Sequence, residues 1–305
     1  MQSFLLTGFL FLALAGGQQA QAQLEDDDLL AGGPQTEATL IAESKDIQPG
    51  KPFTVALRLT LEKDWHVYWR NPGDSGSATH IAWQLPAGFK AGAIQWPSPH
   101  RFIAPGLVSY GYENEVWLLS QITPPANLTP GQPVTLAANV DWLICSEQCV
   151  PQKKILGLLL NVSKDAPTPD ESYKAQFATA RSLLPLPMSQ TGFAVRADQP
   201  TTAKSKPAKA SVNLRFAPAA KTSLTADQLK QLSFYPADES TLTHTAVQKV
   251  IKEGSSYRVP LLTSEYATEP LKRLRGVLIA PSDKANALAR GIWIDVPITT
   301  SPAKP

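Results

Sequence analysis

The chain has 305 residues, 43% hydrophobic and 18% charged, enough for one large domain or two ordinary ones with their own cores and too apolar for a disordered tail. Its 28 Lys+Arg against 26 Asp+Glu leave a formal net charge of +2, and the scattered basic residues exclude the concentrated positive face that a nucleic-acid binder needs. Twenty-seven prolines and 18 glycines stop the chain too often for coiled coils, and two cysteines exclude a multi-disulfide scaffold and any four-cysteine metal site.

Residues 1–22 read as a secretory signal, with an apolar core from Phe4 to Ala15 and an A-x-A cleavage pattern at Ala20-Gln21-Ala22, although no Lys or Arg precedes the core. That core is shorter than the roughly 20 residues of a spanning helix. Past Gln23 the most apolar run, Ile155 to Val162, is shorter still and holds Gly157 and Asn161. The expectation is a soluble mature chain in an oxidising, extracytoplasmic compartment where a close cysteine pair persists as a disulfide.

Residues 23–37, with Glu25-Asp26-Asp27-Asp28 and Gly32-Gly33-Pro34, form an acidic, solvated leader. From Ala38 the pattern alternates. Short β-type runs such as Phe53 to Leu59, Val116 to Leu119 and Val134 to Ala138, separated by turn signals such as Pro49-Gly50 and Pro130-Gly131, predict a β-sandwich over 38–163. Residues 164–210 are rich in Pro, Ala, Lys and Thr, and read as a connector with a helix from Asp170 to Leu184 between Pro169 and Pro185, ending in the solvated spacer Ala203 to Lys209. A second β-rich domain fills 211–300, with runs Ser211 to Phe216, Thr245 to Ile251, Tyr257 to Leu262, Arg275 to Ala280 and Gly291 to Val296, a short helix from Thr225 to Leu232, and a tail at 301–305.

The densest chemistry is Cys145-Ser146-Glu147-Gln148-Cys149. In an extended strand the two Cα atoms would lie about 13 Å apart, against the roughly 4.4 to 6.8 Å of a disulfide, so a bridge requires a turn. A loop this short contributes only about 2 kcal/mol as a structural staple. Adjacent cysteines suit thiol exchange, one thiolate attacking and the other resolving. A structural bridge, an exchange pair and a Cu(I) site on the two thiolates all stand on the residues alone, and the four histidines His66, His80, His100 and His244 lack zinc-type spacing. Attack is assigned here to Cys145, with Glu147 tending to raise a thiol pKa rather than lower it.

In Asp64 to Gly76, strand alternation puts Trp65, Val67 and Trp69 on a core face and His66, Tyr68 and Arg70 on the other, either beside the cysteines or in solvent. Gly73-Asp74-Ser75-Gly76 mimics a serine-protease loop, but His66 is the sole upstream histidine, so a turn after Asn71-Pro72 is the better account. Six of seven tryptophans lie before residue 143 and read as core, with Trp142 placed to pack under the cysteine loop. Tyr110-Gly111-Tyr112-Glu113, after Pro105-Gly106, is either a hairpin connection or an aromatic shield for a disulfide.

Four segments in order, Trp65 to Gly76, Ile94 to Pro97, Tyr110 to Glu113 and Trp142 to Pro151, resemble the periplasmic N-terminal region of the DsbD/ScsB thiol:disulfide interchange family over about residues 38 to 163. The resemblance implies an immunoglobulin-like first domain, hence a mainly β chain of two tandem sandwiches joined by a Pro/Ala-rich linker. It implies a redox pair at Cys145 and Cys149, no cofactor and no small-molecule substrate, a membrane electron donor, and periplasmic thiol/disulfide proteins as partners. It further implies a cap over the disulfide supplied by Tyr110 or Tyr112, with His66 and Tyr68 lining the site. Ser109 stands where DsbD carries an aromatic residue, and the CxxxC spacing is closer to the copper-tolerance branch represented by ScsB. The transmembrane and thioredoxin-like domains of the full-length family members do not occur in the 305 residues, which therefore read as a stand-alone shuttle or a truncated member.

Overall fold

The computed structural model describes residues 36–201, 211–218, 224–280 and 290–302. The expected signal peptide, nearly all of the acidic leader, the Ala203 to Lys209 spacer and the end of the tail lie outside them. Residues Gln35–Pro305 form one compact unit, mainly β as expected.

The first sandwich contains β1 (Glu37–Ala42), β2 (Asp46–Ile47), β3 (Phe53–Thr60), β4 (His66–Gly73), β5 (His80–Gln84), β6 (Lys90–Ala91), β7 (His100–Ala104), β8 (Leu107–Glu113), β9 (Glu115–Thr123), β10 (Pro133–Cys145) and β11 (Cys149–Val162). One sheet runs β1-β3-β9-β6 and the other β2-β11-β10-β4-β8-β7, with β5 also on β10. Period-two alternation drives the packing: Val55, Leu57 and Leu59 of β3 and Val67 and Trp69 of β4 meet in one buried core.

Helix α1 (Lys174–Leu183) is shorter than the expected 170–184. It is no free connector. Its buried Phe177 and Ala180 cover Ile41, Ala56, Trp117 and Leu119 on the outer face of the four-stranded sheet, and Arg181 pairs with Glu43.

After β12 (Leu186–Pro187) and a 3-10 turn at Met188–Gln190, β13 (Ala194–Thr201) already belongs to the second sandwich, within the stretch expected to be connector. Ala-Val-Arg-Ala-Asp-Gln-Pro-Thr is a weak strand former alone. Its neighbours supply the pairing: antiparallel to β14 (Ser211–Ala217) and parallel to β19 (Ile292–Pro302). Helix α2 (Ala226–Lys230) starts at a Thr225/Gln228 capping box, and β15 (Ser233–Pro236), β16 (Ile251–Glu253), β17 (Ser256–Leu262) and β18 (Arg273–Ile279) complete the order β15-β18-β19-β13-β14-β17-β16. The expected strand from Thr245 to Ile251 reduces to the start of β16. Gln248 instead turns its amide onto β15, accepting from the Phe234 N–H and donating to the Phe234 carbonyl at 2.7 Å each, so a side chain stands in for a strand there. Strand β19 pairs antiparallel with β18 in its first half and parallel with β13 in its second, which curls the eight-stranded sheet around its own core.

The two sandwiches are not spaced by a linker. Ala237, Val277 and Ile279 of the second are buried in the core of the first, and Ser98 Oγ accepts from the Gly291 N–H at 2.9 Å. Among the described residues no helix is long and apolar enough to cross a membrane. With a shared core, residues 36–302 are expected to melt in one cooperative transition, with calorimetric and van't Hoff enthalpies equal. Two resolved calorimetric transitions would contradict the shared core.

Candidate functional site

The β10–β11 hairpin runs in register from Pro133 opposite Asn161 to Cys145 opposite Cys149. Ser146, Glu147 and Gln148 make the turn, closed by the Ser146 N–H to the Gln148 carbonyl at 3.1 Å. This brings the cysteine Cα atoms to 4.1 Å and joins the sulfurs in a disulfide. The pair is asymmetric. Cys145 is 2% exposed, flanked by β11 on one side and by β4 on the other, where His66 is its register partner. Cys149 is exposed, as are the three turn residues. It opens an edge strand whose far side is paired, among the described residues, only at Asn161 and Val162.

His66 and Tyr68 lie on the face of β4 opposite the core-facing Val67 and Trp69, beside the cysteines rather than in open solvent. The Tyr68 hydroxyl is 3.7 Å from Cys149 Sγ. Tyr68 faces outward yet is only 2% exposed, because the segment from Asn71 to Gly76 folds back across its ring. Asp74 secures that fold: its N–H donates to the Val108 carbonyl and its carboxylate accepts from the Val108 N–H, both at 2.8 Å. Gly76, at φ +98°, passes so close that a Cβ there would lie 2.2 Å from Tyr68 Cε1, so both its backbone angle and its lack of side chain are required. The protease-like Gly73 to Gly76 string is a roof over Tyr68, with Ser75 hydrogen-bonded to Ser109 Oγ at 3.1 Å.

His66 stacks on Phe102 at 4.5 Å and meets Tyr68 edge-on at 5.2 Å. Burial pushes the His66 imidazole below its ordinary range, so at neutral pH it brings no positive charge to the sulfurs. Burial pushes the Tyr68 phenol up, partly countered by a hydrogen bond from Ser75. The phenol therefore keeps its proton and remains a donor. Among the described residues no group of three or more His, Cys, Asp or Glu is arranged to hold a metal ion.

Three expected site residues sit elsewhere. Tyr110 is buried, stacked at 5.0 Å on Tyr235 of the second sandwich and edge-on to Trp69. Tyr112 is buried, its hydroxyl donating to the Pro97 carbonyl at 2.8 Å. Neither shields the disulfide: both point to the interior side of β8. Trp142, an odd number of residues before Cys145, faces the opposite side of β10 and joins the core. Arg70 leaves the site, its guanidinium 5.7 Å from the Trp293 ring. The aromatic residue brought toward the cysteines and not foreseen is Phe102, carried by β7. Pro105-Gly106 was its signal: a two-residue turn pairs Ala104 with Leu107, hence Phe102 with Ser109.

The family model described as "Thiol:disulfide interchange protein DsbD, N-terminal" matches residues 37–161. The N-terminal periplasmic domain of ScsB from Proteus mirabilis superposes with a TM-score of 0.58 at 17% identity, over 86% of this chain and 93% of that one, a likeness of fold that spans both sandwiches. Domains 5-6 of the S-layer protein SbsC (10% identity, 88% of this chain and 100% of that one) and the Bacillus cereus pilin BcpA (9% identity, 88% and 70%) reach TM-scores of only 0.21 and 0.26. No curated protein sequence matches the chain.

Replacing Tyr68 by Phe removes the one hydroxyl aimed at Cys149. In a Cys145→Ser background the Cys149 thiol pKa, read from the pH profile of iodoacetamide alkylation, is expected to rise by about one unit, the size of a hydrogen bond to a charged group; an unmoved profile would remove Tyr68 from the site. Burial lowers the pKa of both His66 and His100, so the unfolded chain takes up protons that the folded one refuses. Their contribution is complete above about pH 6.5 and is lost as the pH falls below it. The lowered carboxylates Glu43 and Glu253 act below about 4.5. Urea unfolding between pH 6.5 and 5 is expected to show a declining stability whose slope is smaller in His66→Phe.

Proposed function

We propose that the chain, whose residues 37–161 match the family model of the DsbD N-terminal domain, is a member of the DsbD/ScsB thiol:disulfide interchange family, a periplasmic protein that passes electrons from a membrane donor to periplasmic protein disulfides. The observation that carries this reading is the opposite exposure of two sulfurs at one hairpin tip. Attack passes from Cys145, the assignment made on the sequence, to Cys149, because a buried sulfur cannot meet a protein disulfide in line. In the reduced pair the Cys149 thiolate attacks a partner disulfide, forms an S–S bond to one partner sulfur and expels the other as a thiolate. Cys145, deprotonated, then attacks Cys149 Sγ and displaces the second partner sulfur. Two electrons have left the pair, the partner holds two thiols after taking up two protons, and Cys145–Cys149 is a disulfide again. A membrane-held dithiol of the kind the family uses would reverse these steps to reload it. The dithiol itself carries the electrons, so no cofactor enters.

Tyr68 supports the attack by donating to the Cys149 thiolate, while the neutral His66, stacked on Phe102, lies in register beside the sheltered Cys145. The cleavage pattern at residues 20–22 and the periplasmic setting of the ScsB domain support the compartment.

The reduction potential of the pair, equilibrated in glutathione or dithiothreitol buffers with free thiols counted by mass spectrometry, is expected above the roughly −300 mV limit typical of structural disulfides. Cys145→Ser should accumulate a mixed disulfide with a disulfide-linked peptide, and Cys149→Ser should not. A bridge that stays oxidised until the domain unfolds would leave the chain as a secreted binding module with an inert disulfide.

A further inference from the structure

The second sandwich reaches the redox centre through the loop that roofs Tyr68. Asn71 at the head of that loop is fully buried. Its Nδ2 donates to the carbonyls of Pro236 at 2.8 Å and Asp238 at 3.2 Å, both in the second sandwich, and its Oδ1 accepts from the Gly73 N–H at 3.0 Å. Three residues on, Asp74 divides its carboxylate: Oδ2 takes the Val108 N–H of the first sandwich, while Oδ1 lies 3.0 Å from Nδ1 of His244 in the second. His244 is itself 5% exposed and held from both sides. Its ring meets Tyr110 edge-on at 5.4 Å and its carbonyl accepts from Arg101 at 3.0 Å.

We propose that the second sandwich positions the redox centre, with Asn71 and His244 as positioning residues that hold the Asn71 to Gly76 loop down on Tyr68 and so hold the Tyr68 hydroxyl on Cys149 Sγ. The proposal rests on the exchange reading above. Three features distinguish this from an ordinary domain contact. The loop has no slack over the ring, since any atom added to Gly76 would collide with Tyr68. The ring in turn carries a hydroxyl within hydrogen-bond reach of Cys149 Sγ. The anchors on the second sandwich are buried and hydrogen-bonded, and close-packed interiors transmit displacement rather than absorb it. Releasing the anchors frees the loop to lift, and a shift of about 1 Å takes a hydroxyl out of hydrogen-bond reach.

The test is the pH profile of iodoacetamide alkylation in the full chain with Cys145→Ser, so that Cys149 is the reporter. His244→Phe keeps a ring against Tyr110 but loses the partner of Asp74. It is expected to slow alkylation at pH 7 by about three- to tenfold, the worth of one hydrogen bond, and to move the profile in the same direction as Tyr68→Phe. The double variant should be no slower than Tyr68→Phe alone, the non-additivity of residues acting in series. His244→Gln, which still donates to Asp74, should restore the profile. Asn71→Ser, too short to reach the Pro236 carbonyl, provides the same reading if His244→Phe melts below the assay temperature. If His244→Phe and Asn71→Ser stay folded and overlay the parent profile while Tyr68→Phe shifts it, the positioning role is wrong and the exchange reading stands. If the wild-type pair resists reduction in the folded state, both fall together.

Discussion

Everything at the redox tip depends on the register of one hairpin. Thirteen consecutive cross-strand pairs tie β10 to β11, the last being Cys145 with Cys149. Because side chains alternate, a slip of one residue would send the outward-facing positions of β11 into the core and carry the cysteines past each other. The long, apolar-in ladder from Leu136 through Ile144 is therefore more than a wall of the sandwich. It is the ruler that delivers two sulfurs to bonding distance, and the β4 strand laid along Cys145 turns an equal pair into one sheltered and one accessible atom.

The electrostatics of that accessible atom are sparse. Family-independent ways of making a thiol reactive include a helix N-terminus, a lysine or arginine, or an imidazolium. Among the described residues the hairpin tip ends no helix, Arg70 is drawn away to Trp293, and burial keeps His66 uncharged at neutral pH. A single phenol, itself kept protonated by burial, is the donor at hand.

Much of this was legible before any coordinates. The alternation in Phe53 to Leu59 and in Trp65 to Arg70 predicted which side chains enter the core, while leaving open whether the opposite face meets the cysteines or solvent, and the opening Thr225-Ala226-Asp227 announced α2. What escaped were features set by partners remote in sequence. Strand β13 has no propensity of its own and exists because β14 and β19 offer free edges. Tyr110 reads equally well as a shield or as core until Tyr235 is placed against it, 125 residues away. The Asn71 to Gly76 string looked like a turn, and it is one, yet its purpose lies in carbonyls of residues 236 and 238 that no local pattern connects to it. Trp142 could have been excluded earlier, since three residues of strand always end on the opposite face.

The shortness of the Cys145–Cys149 loop has a thermodynamic consequence. Folding and bridge formation form a closed cycle, so whatever a disulfide adds to the stability of the native state equals the extra difficulty of reducing it there compared with the unfolded chain. A bridge across distant strands would gain much from folding and become hard to open. One that spans three intervening residues, at the end of a ladder already held by backbone hydrogen bonds, gains little. The folded state thus gains little from the bridge, and opening it costs the fold correspondingly little.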